Sequence, residues 1–107
     1  MFGSHAAAPV ADLTPEARLR RTENWLATPH EDTIIMMHVE TGRFISLNAT
    51  GGRIWTLLET PSTLSEVAEH VAKEFQVTPA QAITDMKPLL SELLRNGALS
   101  FAPAAVD

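Results

Sequence analysis

Glu40-Thr41-Gly42-Arg43-Phe44-Ile45-Ser46-Leu47-Asn48-Ala49-Thr50-Gly51-Gly52-Arg53-Ile54-Trp55 decides the fold, because it joins a short strand directly to a helix start. The preceding Thr33-Ile34-Ile35-Met36-Met37-His38-Val39 is rich in β-branched and apolar residues and holds no Gly or Pro, as a strand requires. Gly42 can take the positive φ that a short hairpin loop needs, so Phe44 to Leu47 is expected to return as the antiparallel partner. The period then changes. Asn48 or Thr50 can cap a helix in which Ile54, Trp55, Leu57 and Leu58 recur at helical spacing until Pro61.

Downstream, Thr63-Leu64-Ser65-Glu66 has the form of a capping box, and Leu64, Val67, Ala68, Val71 and Phe75 make one apolar stripe. Thr78-Pro79-Ala80-Gln81 repeats the pattern: Thr78 as cap, Pro79 at the first helical position and Gln81 completing a second box. Pro88 is expected to bend that third helix without ending it, and Asn96-Gly97 to stop it, with Leu99 and Phe101 packing back. Upstream, Glu23 to Thr28 reads as a first strand carrying Trp25 and ended by Pro29, and Thr14-Pro15-Glu16 as the cap of a short helix through Arg21.

The glycine turn followed by an aromatic, then Leu47-Asn48, Thr50-Gly51, Ile54-Trp55 and Leu57-Leu58, resembles the PqqD-like peptide-recognition domains, also called RiPP recognition elements. The likeness continues through Leu64-Ser65-Glu66-Val67 and through Asp85 to Leu94 with its exit at Gly97-Ala98-Leu99, and covers roughly residues 23 to 101. It implies an α+β, winged-helix-like fold, a three-stranded antiparallel sheet followed by three helices, that binds the leader of a ribosomal precursor peptide. Residues 1–22 are then expected to be a flexible extension, with Gly3-Ser4-His5 resembling a cloning remnant, and 102–107 a flexible tail.

Composition sets the outer bounds. The 107 residues suit one domain, since domains typically span about 50 to 250 residues. No apolar run approaches the roughly 20 residues that cross a bilayer. Cysteine is absent, so disulfides and thiolate metal sites are excluded, consistent with a cytoplasmic setting. Thirteen acidic against eight basic residues give a formal net charge of −5, a poor balance for binding nucleic acid phosphates. That weighs against a winged-helix DNA-binding regulator. The four histidines fall at no metal-ligand spacing and no nucleophile motif is present, so neither a metal, a cofactor nor catalysis is expected. Gly51-Gly52 opens a helix without either phosphate-loop pattern, and is read as room for close packing.

What remains is an edge. Between Phe44 and Leu47 there is no Lys, Pro or bulge of the sort that blocks a strand edge. The apolar arc of the third helix is also wider than a core stripe needs. The expected peptide site is therefore Arg43, Phe44, Ile45, Ser46 and Leu47 on the strand, with Ala82, Met86, Leu89 and Leu93 on the helix. Ile45 and Leu47 would share the face toward the helices, and Asp85 would meet a basic leader side chain. The implied partners are a precursor leader and a separate maturation enzyme: a leader peptidase as in lasso-peptide systems, a cyclase or a radical enzyme. A self-associating module that pairs two copies of this edge as a homodimer is the other rival.

Overall fold

The computed structural model describes residues 13–103. The expectations for residues 1–12 and 104–107 lie outside the described residues. Two three-stranded antiparallel sheets enclose three helices. The first strand, β1 (Arg18–Arg21), is the centre of one sheet, and β2 (Trp25–His30), β3 (Thr33–His38) and β4 (Phe44–Leu47) form the other in that spatial order. Helix α1 (Ala49–Leu57) follows, then β5 (Ser62–Thr63), α2 (Leu64–Phe75), α3 (Pro79–Arg95) and β6 (Leu99–Phe101). The expected three-stranded sheet and three helices are present, and no helix among the described residues is long and apolar enough to cross a membrane.

Local codes explain the helix ends. The Asn48 side chain caps α1 by accepting from the Gly51 N–H at 2.8 Å. At α2 the reciprocal box forms: Glu66 N–H donates to Thr63 Oγ1 (3.1 Å), and Thr63 N–H donates to Glu66 Oε1 (2.8 Å). These bonds hold the Glu66 carboxyl below its ordinary pKa, the backbone bond from Thr63 first. At α3 only half of the expected box exists. Thr78 Oγ1 accepts from Gln81 N–H, but the Gln81 side chain turns to Asp85 Oδ1, 2.8 Å away. The helix runs unbroken through Pro88 and ends in a Schellman turn, with Gly97 at φ +77° and Ala98 N–H donating to the Leu93 carbonyl at 2.9 Å.

Two expectations are corrected. The short helix through Arg21 is instead β1, flanked by β5 and β6, and Leu13 and Leu19 are core residues, so the folded unit begins before residue 23. Pro29 does not end β2; it pairs with Ile34 inside it. Thr22 Oγ1 bonds the Gly97 carbonyl, and the Arg21 guanidinium lies 4.6 Å over the Trp55 ring while its Nε donates to the Trp55 carbonyl at 2.9 Å, tying the added sheet to α1 and to the exit of α3. His38 closes the loop between β3 and β4. Its Nδ1 accepts from the Glu40 and Thr41 N–H groups, both at 3.2 Å, and its ring meets Trp25 edge-on at 5.1 Å.

The core is the space between sheet β2–β3–β4 and the helices, filled by Met36, Leu47, Ile54, Trp55, Leu58, Leu64, Leu90 and Leu93. Gly51 and Gly52 make the closeness possible. A Cβ on Gly52 would stand 3.1 Å from Ile34 Cδ1, and one on Gly51 3.3 Å from both Leu47 Cβ and Leu89 Cδ2. The glycine pair is thus a packing device between α1, β3, β4 and α3.

Candidate functional site

The hydrogen-bond pattern of β4 follows from its loop. Residues 39–42 form a four-residue connection with Gly42 at φ +74°, and the His38 N–H donates to the Arg43 carbonyl at 2.9 Å. Residues 38 and 43 therefore face each other through their backbones. In an antiparallel ladder facing and non-facing pairs alternate, so Met36/Ile45 and Ile34/Leu47 also face. The intervening Phe44 and Ser46 direct their N–H and C=O groups away from β3. Among the described residues β4 has no further neighbour, and its outer side offers these groups unpaired.

Strand β2 is the other edge, and it is blunted. Its two-residue turn at Glu31-Asp32, with Glu31 at φ +58°, and the Val39 N–H bond to the Asn24 carbonyl (2.9 Å) fix the alternation. Trp25, Ala27 and Pro29 point outward, so the outer row of β2 includes the one residue without an N–H. This position is also why a proline is tolerated there. Of the two edges, only that of β4 presents an uninterrupted set of donors and acceptors.

The β4 edge lies beside α3. Leu89 approaches Leu47 across Gly51 at one end, and Arg43 Nη1 donates to Asn96 Oδ1 (3.0 Å) at the other, so the strand and the last turns of the helix run side by side in opposite directions. The helix residues on this side are Asp85, Leu89, Glu92 and Asn96, spaced i, i+4, i+7 and i+11. Asp85 is exposed, Glu92 and Asn96 are half-buried, and the Asn96 amide donates to Glu92 Oε2 at 3.2 Å. The wall facing the strand is therefore more acidic and polar than the sequence suggested.

Beyond the end of β4 the groove opens into a cleft of about 510 Å³ bounded by the start of α1, the end of α2 and the first half of α3. Asn48, Phe75, Val77, Asp85, Met86 and Leu89 are among its lining residues.

The expected site residues divide between these two spaces. Phe44 (68 % exposed) and Ser46 lie on the outer face and Ile45 and Leu47 face the helices, as alternation requires. Ala82, Asp85, Met86 and Leu89 come together at the cleft. Arg43 stands at the far end, held by Asn96. Leu93 is fully buried and offers no surface to a ligand, because the wide apolar arc of α3 is consumed by the core. Sequence reading missed Phe75 and Val77, both partly exposed, since Phe75 continues the core stripe of α2; the left-handed Gln76 (φ +57°) that turns the chain there has no sequence signature.

The described residues thus form an α+β domain in which the β4 edge of the β2–β3–β4 sheet lies open beside a helical cleft. A model of the PqqD family, coenzyme PQQ synthesis protein D, matches residues 33–99, and the chain belongs to that family. Its fold is that of a RiPP recognition element. TbiB1 in complex with the TbiA(beta) leader peptide superposes with a TM-score of 0.69 at 24% identity, covering 82% of this chain and 99% of that one. Lasso peptide synthetase B1 complexed with the leader peptide gives 0.67 at 21% identity over 77% and 96%. The PqqD truncation of Methylobacterium extorquens PqqCD, a stand-alone RiPP recognition element, gives 0.70 at 17% identity over 82% and 94%. These likenesses are of fold. A comparison with curated protein sequences finds no match.

Proposed function

We propose that this protein is a non-catalytic adaptor that binds the leader of a ribosomal precursor peptide as a further antiparallel strand on β4 and delivers it to a separate maturation enzyme. The observation that carries the reading is the outward backbone of Phe44 and Ser46, unpartnered among the described residues, on the edge of its sheet that holds no proline. Two fold relatives are described as complexes with leader peptides, which supports the same ligand class here. Main-chain bonds to residues 44 and 46 would supply affinity tolerant of sequence, and alternate leader side chains would enter the space along α3 for selection. An antiparallel leader would run from the cleft toward Arg43. Asp85 and Glu92 favour basic leader side chains, and Met86 at the cleft floor can adapt to an apolar one.

Amide hydrogen exchange followed by NMR, with a precursor leader peptide as ligand, tests the reading. The Phe44 and Ser46 amides should exchange freely in the unbound protein and become protected on saturation. Protection elsewhere with these two amides unchanged would remove the strand-addition mode. A concentration-dependent protection of the same amides without leader would instead favour the self-paired homodimer.

A further inference from the structure

The face of sheet β2–β3–β4 turned away from the helices carries its own pattern. Met36 and Ile34 point inward, so Ile35 and Met37 point outward, and the registers place Leu26, Met37 and Phe44 in one cross-strand row with Ile35 on the next. Leu26 is 56 % exposed, Phe44 68 % and Val39, continuing the outward set, 48 %. Large apolar side chains gathered on one uncovered face mark an interaction surface more often than isolated ones do.

Charge identifies the kind of partner. The segment from residue 23 to 47 contains four carboxylates, Glu23, Glu31, Asp32 and Glu40, and one cation, Arg43. All four carboxylates are exposed and stand in the turns and ends around the apolar row, whereas Arg43 is drawn to the helix side by Asn96. The face is thus an apolar centre with an acidic rim. A second copy would set like charges against each other, while a surface with an apolar centre ringed by Lys and Arg would be complemented.

We infer that the outer face of the sheet, centred on Leu26, Met37 and Phe44, docks a partner protein whose contact surface is apolar with a basic rim. This rests on the adaptor reading, with the maturation enzyme as the partner. A leader added to β4 would extend the same sheet, so half of its side chains would emerge flush with Phe44 and lie within the docked surface. One sheet would then hold the cargo at its edge and the enzyme on its face.

The test uses full-length protein, its leader peptide and the purified maturation enzyme that acts on that precursor, with enzyme affinity measured by isothermal titration and leader affinity by anisotropy. Leu26→Asp lies on β2, away from the leader edge, and should weaken enzyme binding by at least about tenfold while leaving leader affinity within about twofold. Glu31→Lys with Asp32→Lys, in an exposed turn that leaves the apolar row intact, should weaken it similarly and flatten its salt dependence. Enzyme binding unchanged in both variants, or absent in the wild type, overturns the docking face and leaves leader binding standing. Sedimentation showing a wild-type dimer that Leu26→Asp dissociates also overturns it, by assigning the face to a second copy. Loss of leader binding by the wild type would instead defeat the adaptor reading itself.

Discussion

Ser46→Pro should separate binding from folding. The Ser46 N–H points away from β3, so proline there removes no bond of the β3–β4 ladder and sits where edge strands accept it. In the complex it removes one donor and leaves a leader carbonyl buried without a partner, a cost of about 1–3 kcal/mol. At about 1.4 kcal/mol per factor of ten, leader affinity should fall about 5- to 150-fold. One residue earlier the outcome reverses. Ile45 faces Met36 through its backbone and its side chain packs against the core, so Ile45→Pro breaks the ladder and should destabilise the fold by more than about 2 kcal/mol. Ala27→Pro, on the already blunted edge of β2, should leave leader affinity unchanged. Anisotropy with labelled leader reads the binding, and urea midpoints read the stability. A folded Ser46→Pro variant that titrates like the wild type would refute the edge assignment, and equal destabilisation by the proline at 45 and at 46 would refute the alternation on which it rests.

Other perturbations address the parts that position the edge. Gly52→Ala puts a methyl 3.1 Å from Ile34 Cδ1 and should cost about 1 kcal/mol, overpacking of about 1–3 kcal/mol offset partly by helix propensity, with Ile34→Val recovering part of it in urea denaturation. Thr63→Ala dismantles the α2 capping box and should cost about 0.5–2 kcal/mol by the same measurement. Because the folded Glu66 carboxyl titrates below its ordinary range, its contribution is complete above the unfolded pKa and is lost as pH falls through the folded value. The stability gap between wild type and Glu66→Gln should therefore close on acidification, and a gap independent of pH would contradict the assignment. Leu93→Ala, at a fully buried site, should cost about 2–5 kcal/mol of stability, and the surviving folded fraction should bind leader with unaltered affinity.

The parts of the molecule that were legible beforehand are those written within a few residues. The hairpin at Gly42, the Asn48 cap, the Thr63–Glu66 box, Pro79 at the start of α3 and the stop at Gly97 each satisfy nearby backbone groups. Alternation likewise puts Ile45 and Leu47 on the face toward the helices. The sheet of β1, β5 and β6 was not legible. Its strands are two to four residues long, too short for a period, and they pair Leu19 with Ser62 and Phe101 across most of the chain. Its pairing had no local signal to betray it.

The wide apolar arc of α3 has the same origin. Sequence counts the apolar positions of a helix but not the neighbours that consume them, so Leu93 looked available while the core had already enclosed it. The wall beside β4, Asp85, Leu89, Glu92 and Asn96, was set by how the helix is rotated against the strand, with Gly51 at one end and Arg43 at the other. By itself the sequence determined the strands of the β2–β3–β4 sheet and the three helices, where those helices begin and stop, and that one strand lacks an edge blocker, because those signals act between neighbours along the chain. Tertiary structure alone decided which edge stays open, that Pro29 blunts the opposite one from within its strand, and which side chains border the gap, because each depends on what packs against it from a distant part of the chain.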